Sequence, residues 1–380
     1  MATTPSGSPS GWLSTSRATT VSELAPAGWD DLVIGHDGRM PSHQLYNSVT
    51  WLRRYELSGA FDPVYLLAEA GGEVVGGLAT HRVGGHETTS QIRVEDLVPT
   101  ATPPGAIPVT PCRVIGGLID GRSGVLTRPG MALHRRAAVL DRLVADAEDV
   151  AAAGGECAVL CRTVDAGDLV LRRVLARRGY ALVPGPAHLV LTVAPGGLEG
   201  YIASFPPRYR NMIRREQRKL RDAGIAITVE PLTRELIPAV LPLVAQLSDK
   251  HHLGVAAEAV RGELELTRRA WKERAHAVVA RAGDRPVGFL EVVEYRGNAW
   301  AQQAGFDYEH NGSLPVYFGV LFYGLMDFAA AAGFTRIDYR YSTDAPKTSR
   351  GCAALATVRA VRLLDPATHH RLVAALAPTG

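Results

Sequence analysis

In "HRRAAVLDRLVADAEDVAAAG", His134 to Gly154, apolar residues return at helical spacing, which predicts a long amphipathic helix. "DLVLRRVLARRGYALV" repeats the pattern and predicts a second helix from Asp168 to about Arg178, with a strand after it. "SLPVYFGVLFYGLMDFAAAAG" is apolar on nearly every side, so its helix is expected to be buried. The stretch just before it, "NAWAQQAGFDYEH", reads as a strand running into a turn.

Shorter apolar runs broken by glycine predict hairpins, and two of them match. Set side by side, "YLLAEAGGEVVGGL" (65–78) and "AVVARAGDRPVGFL" (277–290) agree at six positions, among them the Ala-x-Ala-Gly turn and the Val-Gly after it. A second match follows in the same order: "VAAAGGECAVLC" (150–161) and "FAAAAGFTRIDY" (328–339) each end an Ala-rich helix at a glycine and enter a strand. Gly154 and Gly333 are the expected left-handed caps of those helices. Ordered self-similarity of this kind predicts two versions of one α/β unit. "VAPGGLEGY" interrupts both patterns and places a boundary between a first domain, residues 20–195, and a second, residues 196–380.

Composition narrows the class. At 380 residues, 46% hydrophobic and 21% charged, the chain has the make-up of a globular protein large enough for two cores. It contains no run of about 18 apolar residues, which excludes a spanning helix. "MATTPSGSPSGWLSTSRATT" lacks the apolar stretch of a secretory signal, so residues 1–20 are expected to be a flexible tail on a cytoplasmic protein. The four cysteines form no C-x-x-C pair, and the neighbours His251-His252 and His369-His370 point in different directions on any regular element. Neither a disulfide framework nor a metal site is expected.

The order hairpin, strand, helix, strand, once per half, resembles the GNAT acyltransferase fold in its duplicated form, as seen in Fem-like transferases. The resemblance rests on "SVTWLRRYE", on the basic "FPPRYRNMIRREQRKL" that opens the second half, and on "GFTRIDYRYSTDAPKTSRG", where a strand leaves a helix-capping glycine and runs to Lys347 and Gly351. It implies an α/β (α+β) architecture of two tandem units, each a mixed, largely antiparallel sheet flanked by helices. It also implies transfer of an acyl group to an amine. In that fold two central strands splay apart, the donor's carbonyl sits in the gap, and the acceptor enters from the other side. Such chemistry needs attack geometry, removal of a proton and a stabilised oxyanion. No covalent enzyme intermediate is required, in keeping with the lack of a Ser-His-Asp or Cys-His signature.

The donor is where the chain departs from the pattern. Acetyl-CoA-using members carry an Arg/Gln-x-x-Gly-x-Gly/Ala loop at a helix start, whose N–H groups hold the pyrophosphate. Here "YEHNGSLPVYF" has Gly312 but no basic residue three before it and no second glycine, and "LTRPGMALHRR" in the first half is also incomplete. Two donors fit better: an acyl thioester on the phosphopantetheine arm of a carrier protein, used as co-substrate with no tightly bound cofactor, or an aminoacyl-tRNA, as Fem-like enzymes use. A binding protein that keeps the fold without the chemistry is a further reading of the incomplete loops.

Both donors bring an anionic macromolecule, and "RYRNMIRREQRKLRDAG" offers matching charge. Seven of its first fourteen residues are Arg or Lys in a chain of net charge +3. Arg208, Arg210, Arg214, Arg215 and Arg218 are the expected docking cations. The same density also suits a solvated helix whose arginines pair with Glu216 and Asp222. One cluster in a nearly neutral chain inclines the choice towards an acyl carrier protein over tRNA.

The candidate chemistry lies in the second half. Asp307 and His310 follow the strand "AWAQQAGFD" and can take the amine's proton, although both also suit a strand-to-helix turn. Glu291 and Glu294 stand three apart on a strand and face opposite sides, so at most one reaches the cleft. Gln302 and Gln303 likewise face opposite ways, and one of them can bond donor or acceptor. Tyr317, Tyr339 and Tyr341 can supply an oxyanion donor; Tyr339 and Tyr341 flank Arg340 and so share a face. His252, after an apolar helix, can line a pocket for a small-molecule amine. The resemblance places Lys347, with Arg350, by the donor. Asp307, Glu291 and Tyr341 are thus the expected catalytic groups, and Gln302, Gln303, Tyr317, Tyr339, His310 and His252 the expected substrate contacts. The first half offers only His81, His86 and Glu95.

Overall fold

The computed structural model describes residues 12–24, 26–35, 45–59, 62–84, 107, 109–117, 124–252, 254–341 and 344–376. Two compact units emerge. One holds the chain up to Pro186 and again from Ala356; the other holds Ala187–Leu355.

The first unit contains strands β1 (Ser14–Ala18), β2 (Pro63–Ala70), β3 (Glu73–Val83), β4 (Cys112–Ile115), β5 (Leu126–Thr127), β6 (Ala158–Asp165) and β7 (Ala181–Pro184). Its helices are α1 (Trp29–Gly35), α2 (Val49–Ser58), α3 (Leu133–Ala153) and α4 (Leu169–Arg177). The apolar stripe of α3 buries Val139, Leu140, Leu143 and Val144 against Leu66, Ala68 and Leu78 of the sheet. Asp168 caps α4 by accepting the Leu171 N–H at 3.0 Å, and the Arg136 guanidinium fixes the same carboxylate at 2.9 and 2.7 Å.

The second unit contains β8 (His188–Thr192), β9 (Ile225–Pro231), β10 (Ala275–Ala282), β11 (Arg285–Tyr295), β12 (Asn298–Phe306), β13 (Arg336–Asp338) and β14 (Ala353–Leu355), and β15 (Thr357–Leu363) follows it in the chain. Its helices are α5 (Gly197–Ala203), α6 (Pro207–Asp222), α7 (Leu236–Lys250), α8 (Ala257–Trp271) and α9 (Tyr308–Asn311). Then comes α10, which starts at Val316–Phe318, widens to a π-helix over Gly319–Gly324 and ends as Leu325–Ala331. Helix α11 (Asp344–Thr348) completes the unit, and α12 (Pro366–Leu376) closes the chain in the first.

The first sheet runs β1-β2-β3-β4-β6-β15-β7, with β5 on β3, and the second runs β14-β8-β13-β12-β11-β10-β9. Among the described residues the pairings are antiparallel except β4 with β6 and β12 with β13. The repeated Val-Gly of the two hairpins now has a physical reason. A Cβ at Gly76 would lie 2.4 Å from Val139 of α3, and one at Gly288 would lie 2.7 Å from Val316 of α10, so each glycine seats a helix directly on its sheet.

Three sequence expectations change. The boundary at 195/196 separates repeats but not units: β15, from the end of the chain, lies between β6 and β7, while β8, from the end of the first half, lies between β13 and β14. Val361 and Leu363 of β15 are buried with Val114 and Leu160, and β6 and β7 satisfy its backbone on both edges. Residues 1–20 are not all tail, because Ser14–Ala18 pairs in register with β2; residues 1–11 lie outside the described residues. The left-handed glycine after α3 is Gly155 (φ 67°) rather than Gly154, whereas Gly333 (φ 71°) caps α10.

Candidate active site

Strands β12 and β13 begin as a parallel pair, Asn298 with Arg336, Ala299 with Ile337 and Trp300 with Asp338, and then part. The chain after β13 turns to β8, where the Tyr339 N–H donates to the Leu189 carbonyl at 2.9 Å and the Leu189 N–H to the Arg340 carbonyl at 2.8 Å. Strand β12 instead continues along β11 to Phe306. A gap opens between the two.

The β12 side of the gap is irregular. Leu290 pairs with Ala304 and Val292 with Ala301, so the single residue Glu291 faces both Gln302 and Gln303. This is a β-bulge, the device that re-aims groups next to functional sites. The Gln303 N–H donates to Glu291 Oε2 at 3.3 Å, and Glu291 is buried. Ala301 and Ala304 both pack on the same apolar core, so the simple alternation that would set Gln302 and Gln303 on opposite faces fails at this point.

On the other side stands a polar relay. His188 Nε2 and Asp338 Oδ2 are 2.7 Å apart and fully buried. Asp338 Oδ1 accepts the Arg340 N–H at 2.9 Å. Arg340 has φ 60°, a left-handed conformation that costs a side-chain-bearing residue roughly 1 kcal/mol or more. From there its Nη1 donates across the gap to Gln302 Oε1 at 3.3 Å. Sequence reasoning missed His188, Asp338 and Arg340; Asp338 sits on a strand next to Arg340, but its partner is 150 residues away in the chain.

Beneath the gap, the buried Lys347 Nζ donates to the Tyr339 carbonyl at 3.2 Å and lies 5.3 Å from the centre of the Tyr339 ring. The Tyr339 hydroxyl donates to the Leu321 carbonyl in the π-helical turn at 2.5 Å. Burial lifts the Tyr339 phenol well above its usual range. Burial also pushes the Cys352 thiol up to about 12 against the pull of Lys347, so it is no thiolate nucleophile.

Helix α6 has two faces. Ile213 and Leu220 are buried, and Glu216 between them accepts two hydrogen bonds from Arg350 Nη2, both at 2.9 Å, and one from the Tyr323 hydroxyl. The Arg350 guanidinium stands 3.8 Å over the Phe318 ring, and its carbonyl accepts the Tyr201 hydroxyl at 2.8 Å. The outer face shows Arg208, Arg214, Arg215, Arg218, Lys219 and Arg221 to solvent, with Arg210 half-buried. Arg214 approaches Glu199 at 3.5 Å between exposed side chains, a contact of little energy.

Residues 207–345 match a family model described as an acetyltransferase (GNAT) domain. Two solved structures span nearly the whole chain. A tandem GNAT protein from the clavulanic acid biosynthesis pathway is 16% identical, with TM-score 0.57, over 93% of this chain and 99% of its own. FemX is 11% identical, with TM-score 0.61, over 94% of this chain and 99% of its own. The chain has the tandem GNAT fold, and its second half carries the GNAT acetyltransferase match. No curated protein matches it.

Within this fold the expected site residues divide. Glu291, Gln302, Gln303 and Lys347 meet at the gap or directly beneath it, and Tyr341 is half-buried just after Arg340. Asp307 is bound elsewhere: its carboxylate caps α9 through the His310 N–H at 2.9 Å and pairs with Arg285. Tyr339 belongs to the core, and the left-handed turn at Arg340 removes the strand alternation that would have given it a face in common with Tyr341. Tyr317 packs its ring 5.5 Å from Phe306 and 5.2 Å from Phe318. His310 and His252 are exposed. Arg350 is committed to Glu216, so that acid anchors α6 rather than neutralising its arginines. His81 is buried on β3, and His86 and Glu95 lie outside the described residues. Among the described residues no cluster of His, Cys, Asp and Glu could hold a metal, and no helix is long and apolar enough to cross a membrane.

Proposed function

We propose that this acyltransferase joins an acyl group, carried as a phosphopantetheine thioester, to a small-molecule amine in specialised metabolism within the cytoplasm. The observation that carries the reading is the coincidence of a strand gap, a bulge and polar side chains at the same end of β12. The gap admits an acyl carbonyl, Glu291 lies behind the bulge to take a proton, and Gln302, Gln303, Lys347 and Tyr341 surround the opening. A carrier-borne donor is favoured over free CoA because the loop ahead of α10 has Gly312 but lacks the second glycine and the cation that would cradle a pyrophosphate. The outward cations of α6 supply a docking face for an acidic carrier protein. The donor is a co-substrate, with no tightly bound cofactor.

One observation favours a second donor. Tyr209 is 41% exposed among these arginines, with Phe205 and Tyr201 tiered behind it at 6.2 and 5.0 Å. An aromatic set among cations suits a single-stranded nucleic-acid end, as in an aminoacyl-tRNA. Mass spectrometry of amide products, from separate incubations with an acetyl-loaded carrier protein, acetyl-CoA and charged tRNA plus a pool of amines, decides the matter. Amide from the carrier alone is the expected result. Amide from tRNA alone transfers the assignment to the second donor, and no amide from any donor ends the reading.

A further inference from the structure

The Gln302 side chain brings an amide carbonyl oxygen to the Arg340 guanidinium at the mouth of the gap. An amide oxygen is close in shape and polarity to the carbonyl oxygen of a thioester or ester. A ligand carbonyl entering between β12 and β13 therefore meets a cation already set to donate to such an atom.

We propose that Arg340 is the oxyanion-stabilising residue of acyl transfer, and that Asp338 and His188 are positioning residues that hold it in place. The inference rests on the acyl-transfer reading of this gap. When the amine nitrogen attacks the acyl carbon, a C–N bond forms and the carbonyl electron pair moves to oxygen. The guanidinium N–H donors stabilise that charge in a half-buried setting where they count for more than in water. The pair then returns, the C–S or C–O bond to the donor breaks, and the proton lost by the amine ends on the leaving sulfur or oxygen.

The relay explains why a residue with a side chain keeps φ 60° in this position. Asp338 Oδ1 takes the Arg340 N–H, which fixes the turn, and His188 takes the other carboxylate oxygen, which fixes Asp338. An extended residue 340 would continue β13 and point its side chain along the strand's alternation rather than across the gap.

The test compares Arg340→Gly, Arg340→Lys, Asp338→Ala and Asp338→Asn, with the donor found competent above. Glycine accepts φ 60° without strain, so Arg340→Gly keeps Tm while kcat falls about a hundredfold and KM changes little. Arg340→Lys keeps the charge but loses the planar fork and recovers part of kcat. Hydrogen exchange at the Arg340 amide reads the relay without activity: protection is lost in Asp338→Ala and kept in Asp338→Asn, which still offers an Oδ1 acceptor, and kcat of the Asn variant exceeds that of the Ala variant. An active wild type with Arg340→Gly within about threefold of it in kcat, or a loss carried wholly by KM, overturns the oxyanion role. Unchanged protection in Asp338→Ala overturns the positioning role. A wild type that makes no amide from any donor removes the acyl-transfer reading and this role with it, an outcome distinct from the other two.

Discussion

Each sheet changes from antiparallel to parallel pairing once, and each parallel contact is three register pairs long, ending at Val114–Leu160 in the first unit and Trp300–Asp338 in the second. The two endings differ in kind. Leu160 is buried among aliphatic side chains, and β6 continues to Asp165 through a bulge against β15, where Arg359 stands opposite the buried Arg162 and Thr163, with Cys161 and Val164 in the core. Asp338 is equally buried but bonded to His188, and the chain beyond it turns left-handed at Arg340. The two units thus repeat one backbone pattern, and the second ending carries a buried His188–Asp338 pair where the first carries Leu160. On the reading proposed above, function belongs to the side chains placed at one strand end and not to the fold.

The sharpest way to break that comparison is to exchange the two endings. Asp338→Leu is expected to lower kcat for amide formation by up to about a hundredfold, as Arg340→Gly does, and, by leaving His188 buried without its carboxylate, to cost about 3 kcal/mol. The double variant Asp338→Leu with His188→Leu should recover most of that stability in a urea titration while kcat stays low. Leu160→Asp should destabilise by a similar amount, since a buried carboxylate there has no histidine opposite it. An Asp338→Leu protein with kcat within about threefold of the wild type would show that the two endings are equivalent after all.

A smaller effect tests what the units share. Gly76→Ala and Gly288→Ala each force a helix off its sheet and should each cost about 1–3 kcal/mol. Similar costs in denaturation sharpen the view of one backbone used twice; a negligible cost at either glycine would mean that its helix can shift.

Acid should separate the units again. Burial holds the His276 imidazole below its ordinary value, although Glu294 pulls the other way. The unfolded chain therefore takes up a proton that the folded second unit resists, and stability falls as pH drops below about 6.5. In the first unit burial would raise Glu148, but hydrogen bonds from Arg178 and Arg362 outweigh it and hold the carboxylate low. Its contribution is present above about pH 4.5 and is lost only as pH falls further. Glu156 is raised by burial against Arg113, so its protonation offsets part of that loss. Amide exchange is thus expected to rise first in the second unit on acidification, and His276→Gln should remove that early step. Simultaneous loosening of both units would contradict this assignment.

How much of this was legible in the sequence follows from the range of the forces involved. Helices α3, α4 and α6 were readable because burial sets a local period, and the hairpins because a glycine seat repeats in the same place. The exchange of β8 and β15 was not, since a strand's own residues do not say which strand lies beside it. Glu291, Gln302, Gln303 and Lys347 were found as polar residues on or after apolar strands. The opposed faces assigned to Gln302 and Gln303 failed because a bulge shifts alternation by one residue. Asp307 was misread because a carboxylate after a strand looks the same whether it caps a helix or takes a proton. His188 stood in the other repeat, and nothing in one-dimensional order joins it to Asp338.

The mildest change falls on the outer face of α6. Arg215→Glu with Arg218→Glu touches no buried contact, so stability should change by no more than ordinary surface substitutions cause, about 0.5 kcal/mol. Reversing two charges on a docking face slows encounter more than it alters chemistry, so with a carrier-borne donor KM should rise about fivefold at low salt while kcat holds. Raising the salt should shrink the difference, because screening acts on exposed pairs and hardly on the buried pair of Glu216 with Arg350. The control is Glu216→Gln, which leaves the outer cations in place but releases Arg350 and the Tyr323 hydroxyl from their common anchor. That variant should lower Tm and leave the salt dependence alone. If both variants change KM and its salt dependence alike, the outer and inner faces of α6 are not separable, and the helix acts as one element of the site rather than as a surface laid beside it.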